Sequence, residues 1–301
     1  VFMIGPRINA AGRLEKASDS VRLLIAERKE HAEKLASSIN DLNVRRREFD
    51  NKITEEALQM IQQDERLLQA KSTVIFNENW HKGVIGIVAS RLTDTYYRPT
   101  IVLTRSNNLI TGSARSIKNF DIYDAIDNCS DLLEHFGGHK YAAGLSLKPE
   151  NLSEFSRRFE EYVSNNIDKE ELIPELNVDL EINFSDITPK FVRVLKQFSP
   201  FGPGNMAPVF LSRNVIDSGS SRPVGGQEKK HLKLSMTQKH DNNLILPGIA
   251  FQKGADYQRV NSKEPFSICY CIEKNFWQGK TNLQLNVKDI KFENDGNILE
   301  K

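Results

Sequence analysis

The fold of this chain is decided by residues 136–144, which read FGGHKYAAG. Two adjacent glycines, Gly137 and Gly138, predict a tight turn with positive φ, because glycine has no Cβ atom to oppose that backbone conformation. Such a turn brings backbone N–H groups close to an anion and places His139 at its tip. Lone histidines are usually structural, but the small residues around this one leave room beside the imidazole. We therefore expect a loop between two strands that contacts a negatively charged ligand.

Short strands and helices alternate on both sides of this loop and predict a compact α/β domain over residues 71–165. The strands are expected at 73–76, 99–103, 110–116 and 145–147, and the helices at 83–92, 123–128 and 152–163. Residues 164–174 are polar, charged and end in proline, which is typical of a linker.

The segment before this domain predicts one long connecting helix over residues 29–70. From about residue 29 to residue 68 there is no glycine or proline, and apolar residues recur every three or four positions. Some forty helical residues would span about 60 Å, more than the width of a small domain. The triplet Arg45, Arg46 and Arg47 would spread around such a helix, so we expect these side chains to be solvated rather than to form a nucleic-acid patch.

The segment after the linker predicts a β domain over residues 172–293, followed by a tail over residues 294–301. Five strands are expected at 209–216, 231–236, 244–251, 266–272 and 283–290, separated by polar or glycine-rich turns. A five-stranded antiparallel barrel of the OB type is the economical prediction, since a closed barrel hides its edges. A plain β-sandwich is the alternative.

Composition limits the class of protein but names no partner. With 301 residues the chain is long enough for two cores, and its formal net charge is +1. No apolar run is long enough to span a bilayer and no signal peptide is evident, so a cytoplasmic protein is the expectation. The cysteines Cys129, Cys269 and Cys271 have neither the number nor the spacing of a disulfide framework or a zinc site.

Two further clusters could bind phosphate. In residues 80–92, Trp80, His81 and a lysine precede a predicted helix, whose exposed N–H groups would attract an anion. In residues 112–116, Ser113 and Arg115 alternate along a strand and so point to the same side. A guanidinium donates two parallel hydrogen bonds to phosphate, although an arginine paired with a carboxylate on a sheet face would show the same pattern.

The barrel offers its own candidates for DNA contact. Lys230 and Lys233 lie in the best local basic cluster, on a turn that leads into a strand. Phe251, Phe276 and Trp277 could stack on bases, although aromatic residues in barrels more often belong to the core.

These clusters, in this order, resemble the RecJ family of single-stranded-DNA-specific exonucleases in the DHH phosphoesterase superfamily. Residues 5–13, GPRINAAGR, are similar to the end of the family's DHH catalytic domain, which we assign to residues 1–28. The segments around Trp80, Gly112 and Gly137 are similar to its DHH-associated domain, and residues 198–208, FSPFGPGNMAP, to the lead-in to its OB domain. The chain has no initiator methionine, so we expect it to be the C-terminal part of a longer protein.

The resemblance implies roles for particular residues. Ser113 and Arg115 match positions that hold the 5′-terminal phosphate, and His139, beside Gly137 and Gly138, matches a catalytic histidine that faces the scissile phosphate. Three further residues match a family loop near these phosphates, and two more could line the cleft that holds the phosphates. They are Arg7, Asn9 and Arg13 for the loop, and Trp80 and His81 for the cleft.

The resemblance also implies a reaction, namely 5′-to-3′ hydrolysis of single-stranded DNA in DNA repair and recombination. Mn²⁺ or Mg²⁺ would be held by aspartates and histidines of the catalytic domain. This sequence contains no Asp-His-His triplet. We therefore expect no metal ligand here, and binding of single-stranded DNA with a 5′ end but no cleavage. Single-strand-binding protein and a helicase are the implied protein partners.

Two alternatives remain at this point. One is a non-catalytic RecJ-like protein that binds single-stranded DNA or acts as a scaffold. The other is an oligonucleotide or cyclic-dinucleotide phosphodiesterase of the DHH superfamily, which the predicted OB barrel disfavours because those enzymes generally lack it.

Overall fold

The computed structural model describes residues 3–226, 228–239, 241–277 and 279–292. The chain forms two compact units, Val1–Pro174 and Glu175–Lys301. The predicted tail at 294–301 lies outside the described residues. No helix in the described ranges is both long and apolar enough to cross a membrane.

Four helices open the first unit. They are α1 (Gly5–Leu14), α2 (Ser18–Leu24), α3 (Lys29–Gln63) and α4 (Glu65–Gln69). The predicted long helix is therefore real, but it ends at Gln63 instead of continuing to residue 70. Asp64 adopts an extended backbone, and its carboxylate accepts hydrogen bonds from the backbone N–H groups of Arg66 and Leu67. Asp64 therefore ends α3 and serves as the N-cap of α4.

A five-stranded mixed sheet follows. Its elements in chain order are β1 (Thr73–Phe76), α5 (Ile85–Tyr96), β2 (Thr100–Ser106), β3 (Leu109–Arg115), α6 (Ile122–Asp127), β4 (Leu133–His139), β5 (Ala142–Leu147) and α7 (Leu152–Asn166). The strand order is β1-β2-β3-β5-β4, with β1 parallel to β2 and the other neighbours antiparallel.

The two faces of this sheet are covered unequally. On one face, α6 and α7 bury side chains from β2, β3 and β5, including Leu103, Ala114 and Leu145. On the other face, α3 and α5 cover β1 and β2, where Ile75 and Val102 are buried. Beyond α5, the same face of β4 and β5 carries exposed positions such as Gly137 and Gly144. The sheet therefore has an uncovered strip beside α5.

The predicted Gly-Gly turn is wrong, because both glycines lie within β4. Gly137 pairs with Gly144, and Gly138 pairs with Ala143. The chain reverses after His139, between β4 and β5. A Cβ atom on Gly138 would come within 2.3 Å of the Ala142 carbonyl oxygen, so glycine is needed there for the close approach of two strands.

The second unit is a barrel with added elements. In chain order these are β6 (Leu180–Glu181), α8 (Pro189–Gln197), β7 (Phe210–Asp217), β8 (Arg222–Val224), β9 (His231–Gln238), β10 (Asp241–Ala250), α9 (Tyr257–Val260), β11 (Phe266–Trp277) and β12 (Lys280–Phe292). The strands pair in the order β7-β11-β12-β10-β9, and pairing of β7 with β9 joins the ends of this run.

The predicted OB-type barrel is confirmed, and its five strands correspond to those expected from the sequence. One pairing, β10 with β12, is parallel rather than antiparallel. The interior is lined by alternate residues of the strands, such as Leu232 and Leu234 on β9 and Leu285 and Val287 on β12. The alternation of side chains in a strand predicts this core but not the direction of each neighbour.

Candidate nucleic-acid interface

Arg115 is the centre of the site in the first unit. It is half-buried at the end of β3, where Nη1 donates to Ser113 Oγ at 3.0 Å and to the Ala114 carbonyl at 2.7 Å. Its Nε donates to Ser90 Oγ on α5 at 3.2 Å. Arg115 forms no ion pair with a carboxylate in the part of the chain that the structure describes. The alternative of a salt-bridged arginine on a sheet face is therefore wrong.

The surroundings of Arg115 favour an anion. Burial lowers the pKa of Arg115, and the positive charge of Arg13 lowers this pKa further. An arginine keeps its proton at neutral pH, so the lowered pKa marks positive charge that a bound anion would offset.

The first turn of α5 lies directly against this arginine. A Cβ atom on Gly86 would be 2.9 Å from Ser113 Oγ and 3.2 Å from Arg115 Nη2. Glycine therefore allows the start of α5 to approach the Ser113–Arg115 pair. The positive end of a helix dipole adds to the attraction for an anion.

Arg13 joins this cluster from α1. A Cβ atom on Gly83 would come within 2.0 Å of the Arg13 carbonyl oxygen, and Arg13 Nη1 donates to the Gly83 carbonyl at 3.2 Å. The end of α1 thus packs on the segment that leads into α5, and the guanidinium of Arg13 reaches the same region as Arg115.

His139 lies on the same face of the sheet as Arg115. The strand register places Arg115 opposite Ala142 and Ala142 opposite His139, so the two residues are separated by two strand spacings, about 10 Å. His139 is exposed, and its Nδ1 accepts a hydrogen bond from the backbone N–H of Tyr141 at 3.3 Å. In its neutral form the ring therefore carries the proton on Nε2.

The strip between Arg115 and His139 has almost no side chains. Ser113 lies opposite Gly144, and Gly144 lies opposite Gly137. A Cβ atom added to Gly137 would meet nothing within 4 Å, and one added to Gly144 would meet only a carbonyl oxygen at 3.9 Å. The strip is open and nearly flat, so an extended chain could lie on it close to the backbone.

Two of the three residues assigned to a nearby loop are not part of the cluster. Residues 5–14 form α1 rather than a loop, with a proline in its first turn. Arg7 donates from Nε to Asn40 Oδ1 at 3.1 Å and from Nη1 to the Met3 carbonyl at 2.6 Å. Asn9 is exposed on the same helix. Of the three, only Arg13 contacts the segment that leads into α5.

Trp80 and His81 have mainly structural contacts. Trp80 is 4% exposed, packs against α3 and α5, and donates from Nε1 to Glu56 Oε2 at 2.8 Å. Both Trp80 and His81 line a cavity between α3 and the segment before α5, together with Phe49 and Glu56. His81 stacks on Phe49 with ring centroids 5.5 Å apart, and its Nδ1 accepts from the Gly83 N–H at 3.1 Å.

Sequence reasoning missed a charged network that ties α5 to α3. Asp50 is 1% exposed, and its Oδ2 accepts from Arg91 Nη2 at 2.8 Å and from Arg46 Nη1 at 3.3 Å. Arg46, expected to be solvated, is largely buried by this pairing. Ser90, which contacts Arg115, directly precedes Arg91. The signal in the sequence was the spacing of Arg46 and Asp50, because residues four positions apart on a helix lie next to each other and can form an ion pair.

The barrel residues predicted to contact DNA differ in their contacts. Lys230 is paired with Glu228, whereas Lys233 is exposed on β9. The ring of His231 meets Phe251 edge-on at 5.2 Å, and Phe251 is 55% exposed. Phe276 is exposed as well, and the side chain of Trp277 lies outside the described residues.

The site does not fit a divalent metal ion. The groups that line it are guanidinium, hydroxyl and backbone N–H donors, whereas Mg²⁺ and Mn²⁺ prefer carboxylate and carbonyl oxygens. Among the described residues, no group of three or more His, Cys, Asp or Glu side chains could hold a metal.

Comparison with known proteins relates both units to one family. The DHHA1 domain model matches residues 69–165, and the RecJ OB domain model matches residues 178–289. Single-stranded-DNA-specific exonuclease RecJ of Bacillus subtilis (strain 168) is 36% identical over 96% of this chain and 36% of its own length.

Two crystal structures of RecJ from Thermus thermophilus match 96% of the chain at 26% identity. The complex with Mg²⁺ gives a TM-score of 0.78 over 43% of its chain, and the complex with Mn²⁺ gives 0.79 over 41%. The chain spans less than half the length of these relatives. It belongs to the RecJ family and carries that family's DHHA1 and OB domains.

Proposed function

We propose that this chain grips single-stranded DNA by its 5′ end for 5′-to-3′ exonuclease hydrolysis of phosphodiester bonds. The 5′-terminal phosphate binds between Arg115, Ser113 and the first turn of α5. The following nucleotides extend over the uncovered strip of β5 and β4 toward His139. Arg13 adds positive charge at the phosphate.

The observation that best supports this proposal is the burial of Arg115 without a carboxylate to neutralise its charge. A half-buried guanidinium without a carboxylate partner in the described ranges is costly unless an anion neutralises it. Its fixed position, held by Ser113 and Ser90, preorganises the donors, so little free energy is lost in ordering them around a phosphate.

His139 has the chemistry to assist at a phosphodiester. Its exposed ring can donate from Nε2 to a phosphate oxygen while Nδ1 stays bonded to the Tyr141 N–H. Gly137 and Gly138 serve this role by letting β4 pack closely on β5 while leaving the surface beside His139 open.

The catalytic ions belong, in this proposal, to residues other than those described. RecJ structures have been solved with Mg²⁺ and with Mn²⁺, and the cationic site here supplies no ligands for either. The process we propose is DNA repair and recombination in the cytoplasm, with single-strand-binding protein and a helicase as partners.

The test is the binding of 5′-phosphorylated and 5′-hydroxyl oligonucleotides by the whole chain, measured by fluorescence anisotropy. Arg115→Ala should weaken binding of the phosphorylated strand by about 10- to 100-fold, since a hydrogen bond to a charged group contributes about 1.5 to 3 kcal/mol. Binding of the 5′-hydroxyl strand should change much less. Gly86→Ala should act in the same direction, because its Cβ atom would displace Ser113 and Arg115.

The matched control is Arg105→Ala on β2. Arg105 is an exposed arginine of the same sheet, and it is already paired with Glu78 at 3.3 Å. It should leave both affinities within about twofold of the unmodified chain. Equal losses for phosphorylated and hydroxyl strands in Arg115→Ala would refute recognition of the 5′ end.

A further inference from the structure

Helix α8 of the second unit presents a cationic face to solvent. Lys190, Arg193 and Lys196 recur every third position and are exposed, while Phe191 and Leu195 pack against the barrel core. None of the three cations is paired with a carboxylate in the part of the chain that the structure describes.

From residue 187, just before α8, to the end of the segment that leads into β7, the sequence carries positive charge only. Residues 187–216 contain the three cations of α8 and Arg213, but no aspartate or glutamate. Arg213 is bonded to Glu181 at 3.0 Å, so its charge is already neutralised. The cations of α8 therefore remain available to a polyanion, although the whole chain is nearly neutral.

A fixed loop with two exposed apolar side chains follows this helix. Phe198 is 63% exposed and Met206 is 75% exposed. Asn205 Nδ2 donates to the Phe198 carbonyl at 2.8 Å and to the Pro200 carbonyl at 3.0 Å. The side chain of Asn205 thereby ties the end of the loop to its start.

Backbone bonds close the tip of the same loop. Gly202 and Asn205 exchange two N–H to carbonyl hydrogen bonds, each of 2.8 Å. Pro203 and Gly204 lie between them, and Gly204 has a φ of +83°. This is the pattern of a type II turn, in which glycine supplies the positive φ. Phe198 and Met206 are thus displayed on a loop with a defined backbone.

We propose that this surface, made of Lys190, Arg193, Lys196, Phe198 and Met206, is a second binding site for single-stranded DNA. The α8 platform, as we call these five residues, stacks an unpaired base on Phe198 and Met206 and holds neighbouring phosphates on the three cations. An exposed aromatic ring at the end of a helix that carries unpaired cations matches the two parts of a nucleotide, and single strands expose both. The inference rests on the proposed function, because it assigns more of the same ligand to the barrel unit.

The first test is the Phe198→Ala variant of the whole chain, assayed by anisotropy with a single-stranded oligonucleotide and with one that carries abasic sites. Loss of one stacking partner should weaken binding of the normal strand at least about fivefold. The abasic strand has no base to stack, so Phe198→Ala and the unmodified chain should bind it equally. Leu180→Ala, which truncates an apolar side chain that is 54% exposed in the same unit, is the control and should change neither affinity.

The second test concerns the charges. The double variant Arg193→Gln, Lys196→Gln should reduce the slope of log affinity against log salt concentration by about 1.4, since each phosphate contact on a single strand contributes about 0.7. Arg213→Gln removes a cation that is already paired and should leave the slope unchanged.

The outcomes separate this inference from the proposed function. If Arg115→Ala abolishes 5′-phosphate preference but Phe198→Ala binds both strands like the unmodified chain, the α8 platform is not a DNA site while the proposed function stands. If the unmodified chain does not bind single-stranded DNA at all, both proposals fail. An equal loss on normal and abasic strands would contradict base stacking.

Discussion

His81 directly precedes the segment that starts α5, and its protonation is unfavourable in the folded chain. Burial lowers the pKa of His81 below its ordinary value of 6.5, and the positive charges of Lys82 and Arg45 lower it further. Its Nδ1 also accepts the Gly83 N–H, a bond that a proton on Nδ1 would remove. A neutral His81 therefore holds the segment that leads into α5, next to the proposed phosphate site.

The sign of the pH effect follows from this lowered pKa. The unfolded chain binds the His81 proton more tightly than the folded chain, so the free energy of unfolding should fall as the pH decreases below about 6.5. His81→Gln cannot titrate, and its loss of stability between pH 7.5 and pH 5.5 should be smaller than that of the unmodified chain. Urea unfolding of both proteins at the two pH values measures the difference. The same loss in both would show that His81 is not responsible.

At the scale of elements, the buried carboxylate of Asp50 fixes α5 on α3. It pairs with Arg91 of α5 and with Arg46 of its own helix. Ser90, which directly precedes Arg91, contacts Arg115. Hydrogen bonds of two consecutive α5 residues, Arg91 and Ser90, therefore connect α3 to the proposed phosphate site on β3. The position of α5 is set from both sides of the helix.

Removal of this carboxylate should destabilise the first unit. We expect Asp50→Ala to lower the free energy of unfolding by about 2 to 3 kcal/mol, less than for a fully buried pair because Arg91 is partly exposed. Asp19→Ala breaks a more exposed pair with Arg22 and should cost less than about 0.5 kcal/mol. Urea unfolding measures both. A change below about 0.5 kcal/mol in Asp50→Ala would contradict the role of Asp50 as the link between the helices.

The sequence predicts elements better than it predicts their ends and partners. The apolar periods of α3 and of the five barrel strands are properties of the local chain, and the structure confirms them. The break at Asp64 depends on a side chain that caps the next helix, a choice that periodicity does not reveal. Gly138 misled the prediction because glycine serves both a turn and a close strand contact, and only the register of β4 with β5 separates the two.

In the candidate site, too, the local sequence predicts some features, whereas others depend on how the elements pack. The alternation along β3 correctly places Ser113 and Arg115 on one side, and their contact with each other follows from it. The contributions of Gly86, Ser90 and Asp50 come from the packing of α5 between β3 and α3. Residues that meet only through such packing are far apart in sequence, so the sequence can mark them one by one but does not reveal which of them come into contact.

At the scale of the whole molecule, binding and cleavage should be separable. The first unit carries the cationic cluster of Arg115 and Arg13, and the described residues include no cluster of metal ligands. We therefore expect the purified chain to bind single-stranded DNA whether Mn²⁺, Mg²⁺ or a chelator is present, with no requirement for a divalent ion, and to release no nucleotides. Anisotropy and gel analysis of labelled strands on the same samples measure both properties.

The control is Arg115→Ala, which should bind 5′-phosphorylated strands less well under all three conditions. Metal-dependent release of nucleotides that Arg115→Ala and His139→Ala both reduce would contradict this separation, because contaminating nucleases would not respond to changes in this chain.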